Sequence, residues 1–439
     1  MILPPPSKRS SRLDCPRFFP NVLRKEDKAF VVLAMCAGSL TGCFHRSVDA
    51  SVGAGVAVRT PGFAREFSKA SRVSWCEGNA VRTLVNGEAF FPPMLKAVNG
   101  AKKSITFETF AFIESPVTRK FSEALAEKAR KGVAVHVILD GVGSRDVGEL
   151  NIGLMRNAGA ELEIYHPIYH FAPNTLSNRT HRKILVVDGK VGFTGGAGFA
   201  HAWTGNAQNP FFWRDTQYEV RGPAVGQLQE AFCENWSEMT GKELRGREYF
   251  PKLSRRGNLR AQFVFDSPKD RKHPLAHSVL MAINSSRESL VLAQSYFVPT
   301  KPFREALLKA AARGVKIEIL VPNKDIDSKP SRYASQNHWV ELLRGGIRIY
   351  QYEATMMHGK LLVADGRLSI IGSGNLDDRS FFINDEVNLH VDSVAFAKEQ
   401  TRMFRDDLKK SREITMVNLP EVLEASYKRF FARLIENQL

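Results

Sequence analysis

At 439 residues, with 43% hydrophobic and 25% charged side chains, the chain has material for about two to four domain-sized units, and its composition excludes a disordered or fibrous protein. Its formal charge of +16, from 62 Lys and Arg against 46 Asp and Glu, favours an anionic partner. Charge alone does not choose between nucleic acid and an acidic lipid surface.

The chain opens with a basic, proline-containing lead and then the 12-residue apolar run Ala29 to Leu40, AFVVLAMCAGSL. That run is too short to span a bilayer comfortably and suits the hydrophobic region of a signal peptide. Its ending, Leu40-Thr41-Gly42-Cys43, resembles the lipobox of bacterial lipoproteins, in which the cysteine thiol receives diacylglycerol. Lipidation is therefore expected at Cys43, with a buried helix or an uncleaved anchor as the alternative. Residues 1–43 read as a leader and 44–74 as a linker. Cys76 and Cys233 would form one disulfide in an oxidising compartment if the fold brought them together, which sequence does not show.

From residue 75 the chain repeats itself. NGAKKSITFETFAFIESPVTRKFSEALAEKARKGVAVHVILDG, from Asn99, reads as strand, connection, amphipathic helix, glycine turn and strand; NSSRESLVLAQSYFVPTKPFREALLKAAARGVKIEILVPN, from Asn284, reads the same way. Gly132 and Gly314 stand at matching helix ends, where positive φ lets the chain turn into the next strand. After each passage comes a second recurring stretch, THRKILVVDGKVGFTGG at 180–196 and MHGKLLVADGRLSIIGS at 357–373. The spacing of the two histidines, 177 residues, nearly matches the 182 residues between the glycines. Such a period means two similar α/β domains, not a solenoid. Their bounds are expected at 75–245 and 259–439, the second ending in helices, with 246–258 as the link inside a charged, weakly periodic join from residue 241.

In HRKILVV and HGKLLVA the β-branched, apolar content predicts a strand, so His181 and Lys183 face one way, as do His358 and Lys360. Asp188-Gly189 and Asp365-Gly366 have the composition of tight hairpin turns. Each returning strand then brings a small pair, Gly195-Gly196 or Gly372-Ser373, back beside its histidine. An imidazole can attack phosphorus while an ammonium stabilises the negative charge that develops on the phosphoryl oxygens. Small residues leave room for a phosphate to reach backbone donors. Two such sets facing each other supply a nucleophile and a general acid, and allow a phosphodiester to be exchanged through a phosphohistidine.

With its two H-x-K-x4-D-x6-G-[SG] motifs, the chain resembles the phospholipase D superfamily over roughly residues 75 to 435. The second motif, His358, Lys360, Asp365, Gly372, Ser373 and Asn375, fits at every position. The first has His181, Lys183, Asp188, Gly195 and Gly196, but Gly198 stands where the family usually has Asn. Segments such as NGEAFFPPMLKAVNGAKKSITFETFAF, FFWRDTQYEVRGPAV and MMHGKLLVADGRLSIIGSGNLDDRSFFINDEVNL are most similar to bacterial cardiolipin synthases.

This resemblance implies a pair of α/β modules, each a mixed β-sheet flanked by helices, with the active site in the cleft between them. It implies that His181 is the nucleophile and His358 the acid and base, that Lys183 and Lys360 clamp the phosphate, and that Gly195, Gly196, Gly372, Ser373 and Asn375 border it. Asp215 and Glu386, 34 and 28 residues after their local histidines, are implied to orient the histidines crosswise, Glu386 with His181 and Asp215 with His358. Asp188 and Asp365 belong to the motif, although their turn positions suit structural support better. The implied reaction joins two phosphatidylglycerol molecules into cardiolipin and glycerol with no cofactor and no metal, since lysines take the place of a cation. A hydrolase or nuclease with the same histidines is the alternative, and a phosphate-binding lipoprotein without catalysis is a third reading. The implied partner is anionic phospholipid, with nucleic acid less favoured. The implied location is the bacterial cell membrane, lipid-anchored and facing the periplasm or exterior. Phe110, Phe112, Tyr296 and Phe297 are candidates to line an apolar cleft, or simply to pack the core.

Overall fold

The computed structural model of the chain describes residues 48–167, 177–269 and 271–439, so the leader and Cys43 lie outside it. Segments rich in Val, Ile and Leu form the strands. The first half contains β1 (Cys76–Val85), β2 (Ser104–Thr109), β3 (Ala134–Asp140), β4 (Glu161–Tyr165), β5 (Lys183–Val187), β6 (Val191–Gly195) and β7 (Thr216–Arg221). The second contains β8 (Leu259–Asp266), β9 (Ser289–Ala293), β10 (Lys316–Pro322), β11 (Arg348–Tyr352), β12 (Leu361–Ala364), β13 (Leu368–Gly372), β14 (Glu386–Asp392) and β15 (Ser411–Ile414).

All of them belong to one sheet, in the order β15-β11-β10-β9-β12-β13-β14-β8-β1-β7-β6-β5-β2-β3-β4. Outward from the β1–β8 seam, β8-β14-β13-β12-β9-β10-β11 repeats β1-β7-β6-β5-β2-β3-β4; among the described residues β15 has no counterpart. In each half three strands run parallel (β2, β3, β4 and β9, β10, β11) and the rest pair antiparallel. The fold is the α/β repeat with mixed sheets that the sequence leads one to expect.

The crossover helices obey their local signals. Pro116–Arg130 begins on Ser115, whose hydroxyl accepts from the Thr118 amide at 3.3 Å, with Pro116 in the first turn. It gives way at Gly132, φ +79°, as the helix Lys301–Ala312 does at Gly314, φ +91°. Each half has an apolar core on one face of the sheet. A third core draws Ile184 and Val220 from the first half, Val291 and Val387 from the second, and Phe232, Trp236 and Phe404 from the helices Val225–Thr240 and Val394–Leu408. Burial of this shared cluster ties the halves together, because separating them would expose it to water.

The stretch expected as a linker before residue 75 is in part structural. Phe63–Ser71 is a helix, and its Phe63 and Phe67 are fully buried in the second half's core beside the helix Pro274–Ser285. Two aromatic residues one turn apart are enough to dock so short a helix. The join at 241–258 has no helix or strand but is packed: the Tyr249 hydroxyl lies 2.8 Å from His136 Nε2. Cys76 and Cys233 are free thiols, not a disulfide. One edge of the sheet gathers the ends of β2, β3 and β6 with the starts of β5 and β7, together with their second-half equivalents.

Candidate active site

The two Asp-Gly turns close their hairpins with positive φ at both residues: +53° and +61° at Asp188 and Gly189, +49° and +59° at Asp365 and Gly366. Their carboxylates turn away from the histidines. Asp188 accepts from the amides of Lys102, Lys103 and Ser104 at 2.7–3.1 Å. Asp365 accepts from those of Arg287, Glu288 and Ser289 at 2.8–3.0 Å. Each therefore pins the start of the adjacent strand, β2 or β9, at the opposite end of the hairpin from the lysine.

At the other end the halves meet. The His181 amide donates to the Asp385 carbonyl at 2.9 Å and the His358 amide to the Arg214 carbonyl at 2.7 Å. These bonds set each histidine against the start of the strand that carries the other half's carboxylate. His181 Nδ1 lies 2.8 and 3.0 Å from the two Glu386 oxygens, and His358 Nδ1 lies 2.8 Å from Asp215 Oδ2. All four side chains are buried. Lys183 Nζ donates to the His181 carbonyl at 2.7 Å, and Lys360 Nζ to the His358 carbonyl at 2.8 Å. Both ammonium groups are thus folded back beside their own histidines.

Burial pushes both carboxyl groups towards neutrality, yet neighbouring cationic groups and hydrogen bonds win. Glu386 is held at about 2 by His181, Lys183 and the Ser373 hydroxyl, and Asp215 is held below its usual value by His358 and Lys360. Burial, helped by Lys183, pushes His181 down to about 4 against the pull of Glu386. His358 is lowered by burial and by Lys360. Burial brings Lys183 to about 7 and Lys360 to about 8. At neutral pH each pair is thus a neutral imidazole donating Nδ1–H to a carboxylate, which leaves a lone pair on Nε2.

Close strand packing explains the glycines. A Cβ at Gly195 would come within 2.3 Å of the Thr216 carbonyl oxygen, and one at Gly372 within 2.4 Å of that of Val387. A Cβ at Gly196 would lie 2.3 Å from Asp215 Oδ1. Its counterpart Ser373 instead fits against the longer Glu386, donating to it at 2.5 Å. Asn375 Oδ1 accepts from Ser295 at 3.3 Å. In the first half both members of that pair are different. The matching bridges Phe112–Phe199 and Phe297–Leu376 set Phe110 against Ser295 and Gly198 against Asn375. The space a side chain at 198 would need is already filled, since a Cβ there would lie 2.8 Å from the Ala111 methyl and 3.1 Å from the Trp203 ring.

Of the four aromatic candidates, Phe112 and Phe297 are fully buried in the cores. Phe110 meets His181 edge-on at 5.3 Å and has Lys183 over its ring at 5.5 Å. Tyr296 meets His358 at 6.2 Å and has Lys360 over its ring at 5.9 Å. Two residues that the sequence reading passed over also belong here. Trp203 Nε1 donates to Asp215 Oδ2 at 2.9 Å, and the Ser380 hydroxyl donates to Glu386 Oε1 at 2.9 Å. Each stands 22 residues after its local histidine, and that equal spacing was the signal available. The segment after Trp203 is six residues longer than the one after Ser380, and it brings Trp213 to within 5.5 Å of the His358 ring.

Comparison with known proteins gives the family. A family model described as "Cardiolipin synthase, PLD-like domain" matches residues 94–236 and 279–408. The chain is 36% identical over 336 residues to the cardiolipin synthase of Geobacillus sp. (strain WCH70), covering 76% of this chain and 67% of that one. It is 33% identical over 362 residues to the probable cardiolipin synthase YwiE of Bacillus subtilis (strain 168), covering 82% and 72%. The chain thus spans about two thirds of the length of these curated relatives, and 65% of cardiolipin synthase 2 of Bacillus cereus. Among solved structures, the phosphatidylserine synthase of Haemophilus influenzae Rd KW20 has the same fold, with a TM-score of 0.63 and 13% identity over 82% of this chain and 95% of that one. With both halves matched by the family model and a third of the aligned positions shared with curated relatives, the chain belongs to the cardiolipin synthase family of phospholipase D-type phosphatidyltransferases.

Proposed function

We propose that this enzyme joins two phosphatidylglycerol molecules to give cardiolipin and glycerol, through a phosphohistidine on His181. The observation that carries the reading is the crossed pair of buried His–carboxylate contacts, each with a lysine folded beside it. In the first step His181 Nε2 attacks the phosphorus of one phosphatidylglycerol. The bond from phosphorus to the glycerol headgroup breaks, and His358, which takes up a proton on Nε2 when the anionic phosphodiester binds beside it, gives that proton to the departing glycerol oxygen. In the second step the free hydroxyl of another phosphatidylglycerol attacks the phosphohistidine, passes its proton to His358 and releases His181. Lys183 and Lys360 hold the phosphoryl oxygens, while Gly195, Gly196, Gly372, Ser373 and Asn375 shape the space around them. One phosphodiester is exchanged for another, so no nucleotide is needed.

Water competes with the second lipid for the intermediate. The aromatic walls Phe110 and Tyr296 favour an acyl-bearing acceptor over water. This reading assigns no metal or cofactor, because the two lysines supply the positive charge that a cation supplies in other phosphoryl-transfer sites. Module bounds of 75–245 and 259–439 belong to the same reading. Among the described residues no helix is long and apolar enough to cross a membrane. Membrane association is assigned to the basic surface and to a lipid on Cys43, with the site facing the periplasm or the cell exterior.

Mass spectrometry after incubation with phosphatidylglycerol tests the reaction. Cardiolipin and glycerol, formed equally well after exhaustive chelation, are expected. Phosphatidic acid as the main product would make the enzyme a hydrolase. Cleavage of DNA without lipid turnover would make it a nuclease.

A further inference from the structure

The helix Ser426–Leu434, SYKRFFARL, is inverted with respect to the protein it packs on. Tyr427, Phe430, Phe431 and Leu434 fall on one stripe about 100° wide, and that stripe points outward, with exposures of 62%, 59%, 63% and 67%. The inward face is Ala432, which packs with Val298, Ala334 and Leu439. The Arg429 carbonyl accepts from Asn337 at 3.1 Å. On the flanks of the stripe stand the exposed Arg433 and the half-buried Lys428, which lies over the Tyr333 ring and pairs with Glu424 at 3.1 Å.

The helix is fastened to the rim of the active site. Val298 lies two residues beyond Tyr296. The Leu439 carbonyl accepts from the Arg379 amide at 3.2 Å, and the next residue, Ser380, donates to Glu386. The same edge of the sheet carries other uncovered apolar side chains. Leu150 is 74% exposed in the first turn of the helix that follows β3, and Phe211 is 64% exposed two residues before Trp213. Exposed Val394, Met416 and Val417 lie away from this edge.

We propose that the stripe Tyr427-Phe430-Phe431-Leu434 is a membrane-docking surface that inserts into an anionic bilayer and sets the mouth of the site against it. An apolar stripe edged by Lys428 and Arg433, on a chain of charge +16, matches the acyl boundary and the negative headgroups of such a surface. The helix supplies contact with the bilayer interface without crossing it. The inference rests on the lipid reading of the site, and it adds where the protein meets its substrate's membrane.

Vesicle sedimentation with the full-length protein tests it, using phosphatidylglycerol–phosphatidylcholine vesicles and pure phosphatidylcholine as reference. The double variant Phe430→Ser/Phe431→Ser is expected to lose at least about tenfold in partitioning onto the anionic vesicles. It is expected to turn over detergent-dispersed phosphatidylglycerol at the wild-type rate. A Phe431→Trp variant is expected to be quenched by brominated lipid beyond the wild-type signal. Unchanged partitioning, or no added quenching, overturns the proposal. Loss of turnover on dispersed lipid does so too, because the stripe then serves the fold or the site. A wild-type oligomer that the double variant splits would assign the stripe to a second copy of the chain. If the wild-type protein docks as described yet forms no cardiolipin from dispersed lipid, the reaction assignment fails and the docking surface stands.

Discussion

The His181 and His358 halves of the site share a backbone plan and differ in what surrounds each imidazole. His181 is held by the longer carboxylate, Glu386, which two serine hydroxyls also contact, and among the described residues it meets one aromatic ring, Phe110. His358 is held by the shorter Asp215, which accepts from the Trp203 indole and the Thr216 amide. It sits among Trp203, Trp213 and Tyr296. These differences come in matched sets. Gly196 accompanies Asp215 and Ser373 accompanies Glu386, while Gly198 with Phe110 replaces Asn375 with Ser295. Duplication preserved the geometry of the histidines and let their surroundings diverge, as expected if one imidazole forms the covalent bond and the other moves protons.

The sharpest way to break this comparison is to remove the histidines separately. His181→Ala is expected to abolish a trapped phosphatidyl-enzyme and to cost roughly 10⁴-fold or more in kcat, as removal of a member of a catalytic triad does. His358→Ala is expected to lose a similar factor in lipid turnover and to recover part of it with a donor whose leaving group needs no proton. Label on His358 in the His181 variant would reverse the roles.

The pH profile comes next. As pH falls through about 4, His181 gains a proton and loses its lone pair, so kcat/KM is expected to drop about tenfold per unit below that point. As pH rises through about 7 and about 8, Lys183 and Lys360 lose the charge that holds phosphate, which gives an alkaline limb. Bound phosphate favours protonated lysine and protonated His358, so the alkaline limb of kcat is expected at higher pH than that of kcat/KM. Coincident limbs would count against this electrostatic account.

Smaller effects sharpen the asymmetry. Asn375→Gly imposes the first half's residue on the second and removes the longer of the two Ser295 contacts, leaving its hydroxyl on the His358 carbonyl at 3.0 Å, with an expected loss of about tenfold in activity, the scale seen when a hydrogen bond that supports an active-site residue is removed. Gly198→Asn places a Cβ 2.8 Å from Ala111 and is expected to destabilise the fold by about 1–3 kcal/mol, read as a lowered Tm, with no gain in rate. The smallest change in chemistry is expected from Cys43→Ser. Turnover of dispersed lipid should stay at the wild-type level, and intact-protein mass spectrometry is expected to find a lipid on the wild-type chain and none on the variant.

Local sequence signals carry most of the architecture. The glycine-ended helices, the Asp-Gly hairpins and the β-branched apolar runs depend on neighbours within a few residues, and each is visible in a short window. The crossed carboxylates are legible only through family resemblance, since no local rule says that Glu386 should meet a histidine 205 residues away. Trp203 and Ser380 escape notice because their importance lies in where they donate, which depends on how β7 and β14 begin against the opposite half. The helix Phe63–Ser71 is hidden for a related reason: its two buried aromatic residues find their partners on the helix Pro274–Ser285, some 200 residues further on. Exposure is equally unreadable. Tyr427, Phe430, Phe431 and Leu434 have the spacing of a core-facing stripe, and only the packing of Ala432 against Val298 shows that they face outward.

The seam between β1 and β8 bears on ancestry. Cut free, either half would carry an open sheet edge and a histidine whose carboxylate had been left on the other piece. One partner repairs both defects, because the strand pairing that closes the edge also delivers the missing carboxylate. A single-module forerunner of this plan would have needed to work as a twin of two identical chains. In one chain the two histidines are free to specialise, and since each carboxylate serves the opposite module, neither module can drift without the other.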